Sequence, residues 1–221
     1  MSKDYRQFCG LARAAGVLGE RWALLVVRDL TLGPRRFKDL GEGLPGVPTS
    51  VLTARLRELE QMGIVERRAA RQPGGGVVYA LTPYGAELTP ILDRLGRWGA
   101  QRMSAPAPEE IITSSSLAAA LRAAYRPGAV TAATTCSIHV GPASAWAAMD
   151  GAEVTVDVGV PEATPDLIIH GGPQFRLLLA GRLSPAEAIT SGAVEIEGPH
   201  AVLEDFVRAF HVPLDDVIGT P

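Results

Sequence analysis

From Pro48 to Gln61 the apolar residues return as Leu52, Leu56 and Leu59, a spacing of i, i+4 and i+7 that lines them up on one stripe of an α-helix. That stripe is predicted to be buried. Pro48 suits a first turn, where its missing N–H leaves no hydrogen bond unmade, and Gly63, two residues past Gln61, is a stop signal. The opposite face carries Ser50, Thr53, Ala54 and Arg57, which are small or hydrogen-bonding, with one cation among them. Before this helix, Gly33 and Pro34 mark a turn, and Arg35, Arg36, Phe37, Lys38 and Leu40 read as a short helix with basic residues at its N-terminal end. After it, Ile64 to Arg68 and Val77 to Leu81 are β-prone runs separated by Arg71, Gln72, Pro73 and three glycines. Consecutive glycines cannot specify a packed loop, so the ribbon is predicted to have a flexible tip.

Helix, turn, helix and ribbon in this order, from Gly33 to Gly85, make the layout of a winged helix-turn-helix. Its second helix, with Thr49, Ser50, Thr53, Ala54 and Arg57 outward, has what is needed to lie in a major groove and touch base edges and thymine methyls. An ordinary solvated helix face is also polar. What distinguishes this one is its neighbours: Arg35, Arg36 and Lys38 are placed to meet a phosphate backbone, and Arg71 sits at the wing tip, which would reach along that backbone or into the minor groove.

The second half has a different character. SAPAPEE, after Met103, cannot continue a helix and reads as a linker. Thr113 to Ser116 can cap a helix through Leu117, Ala120, Leu121 and Tyr125, and strand-like runs follow at Val130 to Val140, Glu153 to Val160 and Asp166 to His170. Phe175 to Leu179 comes next, then Ser184, Pro185, Ala186 and Glu187 as a capping box, a strand from Ala193 to Glu197, and a last amphipathic helix through Leu203, Phe206, Val207 and Phe210. The predicted class is α+β, with an antiparallel-type sheet under helices.

Charge divides the chain the same way. The whole carries −3, but residues 1–104 hold 16 Lys and Arg against 10 Asp and Glu, a balance of +6, and the remainder holds 5 against 14, a balance of −9. The basic half suits a polyanion, and the acidic half would be repelled by one.

Cys9, the segment VLGERWALLVVRDLTLGPRRFKDL, then LPGVPTSVLTARLRELEQMGIVERR, the tyrosine of VVYALTPYG and the closing LDRLGRW together resemble the HxlR-type winged-helix transcriptional regulators of bacteria, over Phe8 to Trp98. The resemblance implies a homodimer on a partly palindromic operator, joined through the helices around Leu11 to Leu18 and Pro83 to Met103. Leu88, Ile91, Leu92, Leu95 and Trp98 make a longer apolar stripe than a small domain needs for its own core. Some members of that family sense oxidants through a cysteine at the position of Cys9, whose neighbours Arg6 and Arg13 would favour a thiolate. A free cysteine is more often a small packed residue, and Cys136 is expected to be one.

PDLIIHGGPQFRLLLAGRLSPAEAITSGAVEIEG and the terminal helix resemble the sterol-carrier-protein-like fold, over Thr113 to Val212. That fold implies an apolar tunnel for lipids or other hydrophobic molecules, with Trp146, Met149, Phe175, Leu178, Phe206 and Phe210 as candidate lining; large apolar residues at such spacings also serve as plain core. The domains expected are residues 1–104 for DNA binding and dimerisation, 105–112 as linker and 113–221 for the ligand.

No enzyme is expected. GEGLPG matches G-x-G-x-x-G but follows a helix and contains Pro45, so it reads as the turn of the helix-turn-helix. The motifs of zinc peptidases, nucleophile elbows and P-loops are missing, His139, His170, His200 and His211 lack ligand spacing, and two cysteines make neither a disulfide framework nor a zinc site. No metal or cofactor is therefore predicted, and no signal peptide or apolar run of membrane-spanning length is seen. The expectation is a cytoplasmic, ligand-responsive repressor, a homodimer on double-stranded operator DNA, with a hydrophobic small molecule or lipid as effector and no membrane partner. Two alternatives stand beside it: an oxidant or electrophile sensor switching through Cys9, and a lipid carrier whose winged helix is only an interaction module.

Overall fold

The computed structural model describes residues 5–70 and 75–214. It divides the chain into two compact units, Met1–Leu92 and Asp93–Pro221.

In the first unit α1 (Gly10–Leu18), α2 (Ala23–Leu30), α3 (Phe37–Gly43) and α4 (Thr49–Gln61) precede a hairpin of β1 (Val65–Ala69) and β2 (Val77–Leu81). Leu52, Leu56 and Leu59 are each 1% exposed and pack with Val26, Val27, Leu30, Leu40, Leu44, Ile64 and Val65. The predicted stripe is therefore the core side of α4, and burial of each leucine contributes about 1.5–3 kcal/mol. Pro48 is the N-cap residue, in extended conformation, one position ahead of the first turn. Gly63 ends the helix at φ +69, a conformation open to glycine at little cost. The hairpin is anchored at Gly85, where an added Cβ would lie 2.1 Å from the Ile64 carbonyl oxygen, so only glycine fits.

Three expectations change here. Arg35 does not open α3: it is extended and exchanges backbone hydrogen bonds with Tyr79, adding a third short strand to the wing, while α3 starts at Phe37 with its N-terminus held by the Asp39 carboxylate, which accepts from Arg36 N–H at 2.9 Å. The helix also runs through Gly43, so GEGLPG is partly helix and only then turn. The long helix from Pro83 to Met103 is broken into α5 (Pro83–Ala86) and α6 (Thr89–Ala100). Pro90 explains the break, since it has no N–H to return to Ala86 and belongs in a first turn.

The second unit contains α7 (Ser114–Ala124), β3 (Thr134–Val140), β4 (Ala143–Met149), β5 (Val154–Val158), β6 (Leu167–Gly171), α8 (Phe175–Leu179), α9 (Pro185–Thr190), β7 (Val194–Glu197) and α10 (His200–Ala209). Both predicted caps are present: Thr113 and Ser116 bond reciprocally at the start of α7, and Ser184 and Glu187 do so at α9. The sheet runs β5-β4-β3-β6-β7, antiparallel except for the parallel pair β3–β6, so it is mixed rather than antiparallel. The cause is the return of the chain after β5 to the far side of β3, a crossover instead of another hairpin.

Residues on the two faces of this sheet differ sharply. One face sets Cys136, Ile138, Ala145, Ala147, Leu167 and Ile169, all with no exposure, against the helices. The Ala-rich β4 beneath the Ala-rich α7 allows close helix–sheet approach. The other face carries Ser137, His139, Trp146, Asp157, Ile168 and His170, fixed there by the register of the strands.

Candidate nucleic-acid interface

The outward side of α4 is built as the sequence spacing requires. Thr49, Ser50 and Arg57 are exposed, and Thr53 and Ala54 are half-buried. Thr53 Oγ1 donates to the Thr49 carbonyl at 2.8 Å, so its hydroxyl hydrogen is spent within the helix, leaving a methyl group and an oxygen lone pair for recognition. Among the described residues Arg57 has no ion pair, and its five donors are uncommitted. Arg55, two positions earlier, is the opposite case: its side chain is 14% exposed and lies between Glu20, at 3.6 Å, and Glu58. Periodicity alone would not separate these two arginines.

The flanking cations have distinct places. Lys38 is 85% exposed and 3.5 Å from Glu42, an exposed pair of the kind that exchanges readily for a phosphate. Arg36 Nη1 lies 3.2 Å from where a Cβ on Gly76 would stand, so its guanidinium rests beside the loop end of the wing, next to the start of β2. Arg35 is half-buried, with Nη2 donating to the Leu32 carbonyl at 3.4 Å, and its contribution is to the wing backbone as much as to the surface. Arg71, the predicted tip contact, lies outside the described residues.

A further tie was not predicted. Arg67 of β1 donates from Nε to Glu60 Oε1 of α4 at 2.8 Å, and this hydrogen bond, with the charge of Glu60, raises the pKa of the guanidinium. It links wing to recognition helix. Nothing in the separation of seven residues marks it, because the contact depends on the turn at Gly63.

Cys9 is exposed at the N-cap of α1, beside exposed Phe8 and Leu11. Cys136 is buried in β3, and desolvation, with the nearby Asp166 charge, pushes its thiol up to about 12, so it packs as an inert side chain. Leu88, in the turn before α6, and Leu92, on α6, pack against the core of the first unit. Ile91, Leu95 and Trp98 face outward, 57%, 42% and 69% exposed.

Of the residues predicted to line a tunnel, Met149, Phe175, Leu178, Phe206 and Phe210 are all buried, at 4% exposure or less. The three phenylalanine rings are brought together in series, Phe175 to Phe206 at 6.3 Å and Phe206 to Phe210 at 4.6 Å, with Tyr125 against Phe210 at 5.5 Å. They form the packed interior of the second unit. Trp146 does not join them: three residues from Met149 along a strand, it projects from the opposite face and is half-buried there.

A helix with a buried leucine stripe and a small, polar outer face, entered through a short helix and turn and followed by a hairpin, defines a winged helix-turn-helix. Residues 17–106 match the family model described as HxlR-like helix-turn-helix. The HTH-type transcriptional regulator YodB of Bacillus subtilis (strain 168) is 38% identical over 88 residues, which is 40% of this chain and 79% of that protein. YvaP of the same organism, described as an uncharacterized HTH-type transcriptional regulator, is 35% identical over 40% of this chain and 82% of its own length. Among solved structures, the reduced form of YodB aligns at 33% identity over 46% of this chain and all of that one, with a TM-score of 0.39. The chain belongs to the HxlR-like helix-turn-helix family.

Proposed function

We propose that this protein is a transcriptional regulator, acting as a repressor, whose first unit binds operator DNA as a homodimer. The observation that carries the proposal is the division of α4 into a buried leucine face and an exposed face of Thr49, Ser50, Thr53, Ala54 and Arg57. Small residues let the helix approach base edges, and Arg57 is the residue able to make a bidentate contact to guanine. Arg36, Lys38 and Arg71 then supply sequence-independent phosphate contacts. The outward row Ile91, Leu95 and Trp98 on α6, with Phe8 and Leu11 near α1, supports association with a second copy. Dimerisation would set two recognition helices about one DNA turn apart.

The second unit, whose residues 105–221 carry a −9 balance, would be held off the DNA and is assigned to effector binding. The resemblance to the sterol-carrier-protein-like fold supports a hydrophobic small molecule or lipid as effector. Effector and operator then influence each other's affinity by the same factor. A salt titration of full-length protein on the DNA upstream of its own gene is the test. Retention of that fragment over unrelated DNA at physiological salt is expected, and equal retention of both would end the proposal.

A second reading has one observation in its favour: Cys9 is exposed, as a sensing thiol must be. Under it, Cys9→Ser abolishes release of DNA by oxidants while leaving DNA binding intact.

A further inference from the structure

The second unit begins inside a helix, at Asp93 of α6. Arg122, in the last turn of α7, grips that residue with two nitrogens, Nη2 donating to Asp93 Oδ1 at 2.8 Å and Nε at 3.2 Å. The pair joins residues 29 apart in sequence, and its side chains are 15% and 16% exposed. Lys38–Glu42, Arg67–Glu60 and Arg208–Asp205 each leave one partner 58% exposed or more, where water and salt screen the attraction. Little water reaches Arg122 and Asp93, so removing Arg122 leaves a poorly solvated carboxylate on α6.

Each partner stands on a helix with a separate task. α7 belongs to the body of the second unit: it packs on β4 and β5, buries Leu117, Ala118, Leu121 and Ala124, and its Ser114 Oγ accepts from the Ser144 N–H of β4 at 3.0 Å. α6 turns Ile91, Leu95 and Trp98 outward, at the i, i+4, i+7 spacing of one stripe. Asp93 lies two residues beyond Ile91, about 200° around the helix, so Arg122 holds α6 from behind that stripe. The segment between the two helices adds little to the hold, because residues 102–105 and 108–111 are exposed.

We infer that Arg122 is a positioning residue by which the second unit controls self-association: through Asp93 it fixes the direction in which α6 presents Ile91, Leu95 and Trp98 to a second copy. A movement of α7 on β4 and β5, of the kind an effector in the second unit would cause, passes to the stripe through the guanidinium. Operator half-sites lie about one DNA turn apart, so a reoriented stripe changes the spacing of the recognition helices and with it operator affinity. The inference rests on the reading of the stripe as a homodimer surface, and it names the residue that regulates it.

The test uses the full-length chain without DNA, its dimer dissociation constant read by analytical ultracentrifugation and its folding by circular dichroism. Arg122→Gln and Asp93→Asn should each weaken the dimer about tenfold, and the double variant should be no weaker than either, since both substitutions remove one contact. Arg126→Gln, which removes the same charge at an exposed position of the same unit, should leave the constant unchanged. Unchanged constants in both single variants, additive losses in the double variant, or an equal loss in Arg126→Gln overturns the inference. Should Arg122→Gln fail to fold, Asp93→Asn, which keeps the side-chain volume, decides alone against Arg126→Gln. A wild-type dimer matched by both single variants leaves the homodimeric regulator standing and removes this joint. A wild-type chain that stays monomeric at every concentration removes the homodimer itself, and the joint with it.

Discussion

Arg35 and Tyr79 exchange both of their backbone hydrogen bonds, at 2.9 and 2.8 Å, so the segment entering α3 is stitched to the second strand of the wing. The position of the wing relative to the helix-turn-helix is therefore set by main chain. Arg35→Ala keeps those bonds and should lower operator and nonspecific DNA affinity together, through loss of charge. Arg35→Pro removes the donor to Tyr79 and should in addition speed hydrogen exchange across β1 and β2. Equal exchange in the two variants would show that the bridge does not hold the wing.

Arg57 and Arg36 occupy different places and predict different losses. Arg57→Ala and Thr53→Ala should weaken the operator more than unrelated DNA, Arg57→Ala by about 1–3 kcal/mol of discrimination. Arg36→Ala should weaken both and reduce the slope of log affinity against log salt by about one. Gel-shift titrations at several salt concentrations check this, and identical profiles for the variants would mean that the base-reading face lies elsewhere.

Gly85 approaches the Ile64 carbonyl so closely that any side chain must push the strands from α5. Gly85→Ala is expected to destabilise the first unit by more than about 1 kcal/mol, measured by urea unfolding. Gly41→Ala is the control: a Cβ there meets nothing within 4 Å, and Gly41 lies inside α3. It should be neutral or stabilising.

The lowered pKa of His139 fixes the sign of one pH effect. Below the unfolded value of about 6.5 the unfolded chain takes up a proton that the folded chain resists. This contribution is present above that pH and is lost as pH falls through the window beneath it. His139→Gln should flatten the decline in unfolding free energy between about pH 6.5 and 5. An unchanged slope would place the acid sensitivity in other groups.

Thiol chemistry should separate the two cysteines. With an exposed Cys9 and a Cys136 raised to about 12, one equivalent of a disulfide reagent reacts promptly with the native protein, and the second only on unfolding. Prompt loss of both thiols would contradict the packing of β3.

Local chemistry made much of the interface legible. Leu52, Leu56 and Leu59 bury their face of α4 because helical periodicity leaves a 13-residue segment with one apolar stripe no other way to hide it. The boxes at Thr113 and Ser184 were equally clear, since a capping pair is a contact between residues three apart. β4 was not legible: ASAWAAM has the residues of a helix, and it is a strand only because its alanines lie under α7.

By itself, then, the sequence determined a basic winged helix-turn-helix joined to an acidic α+β unit, because charge, periodicity, caps and turns act over a few residues. The tertiary structure alone decided that Arg55 is tied to carboxylates while Arg57 is exposed, that Arg35 belongs to the wing, and that β6 runs parallel to β3. It also parted Trp146 from the phenylalanines, on the far side of the sheet. These outcomes depend on which segments meet across long stretches of chain, and no spacing within a segment encodes that.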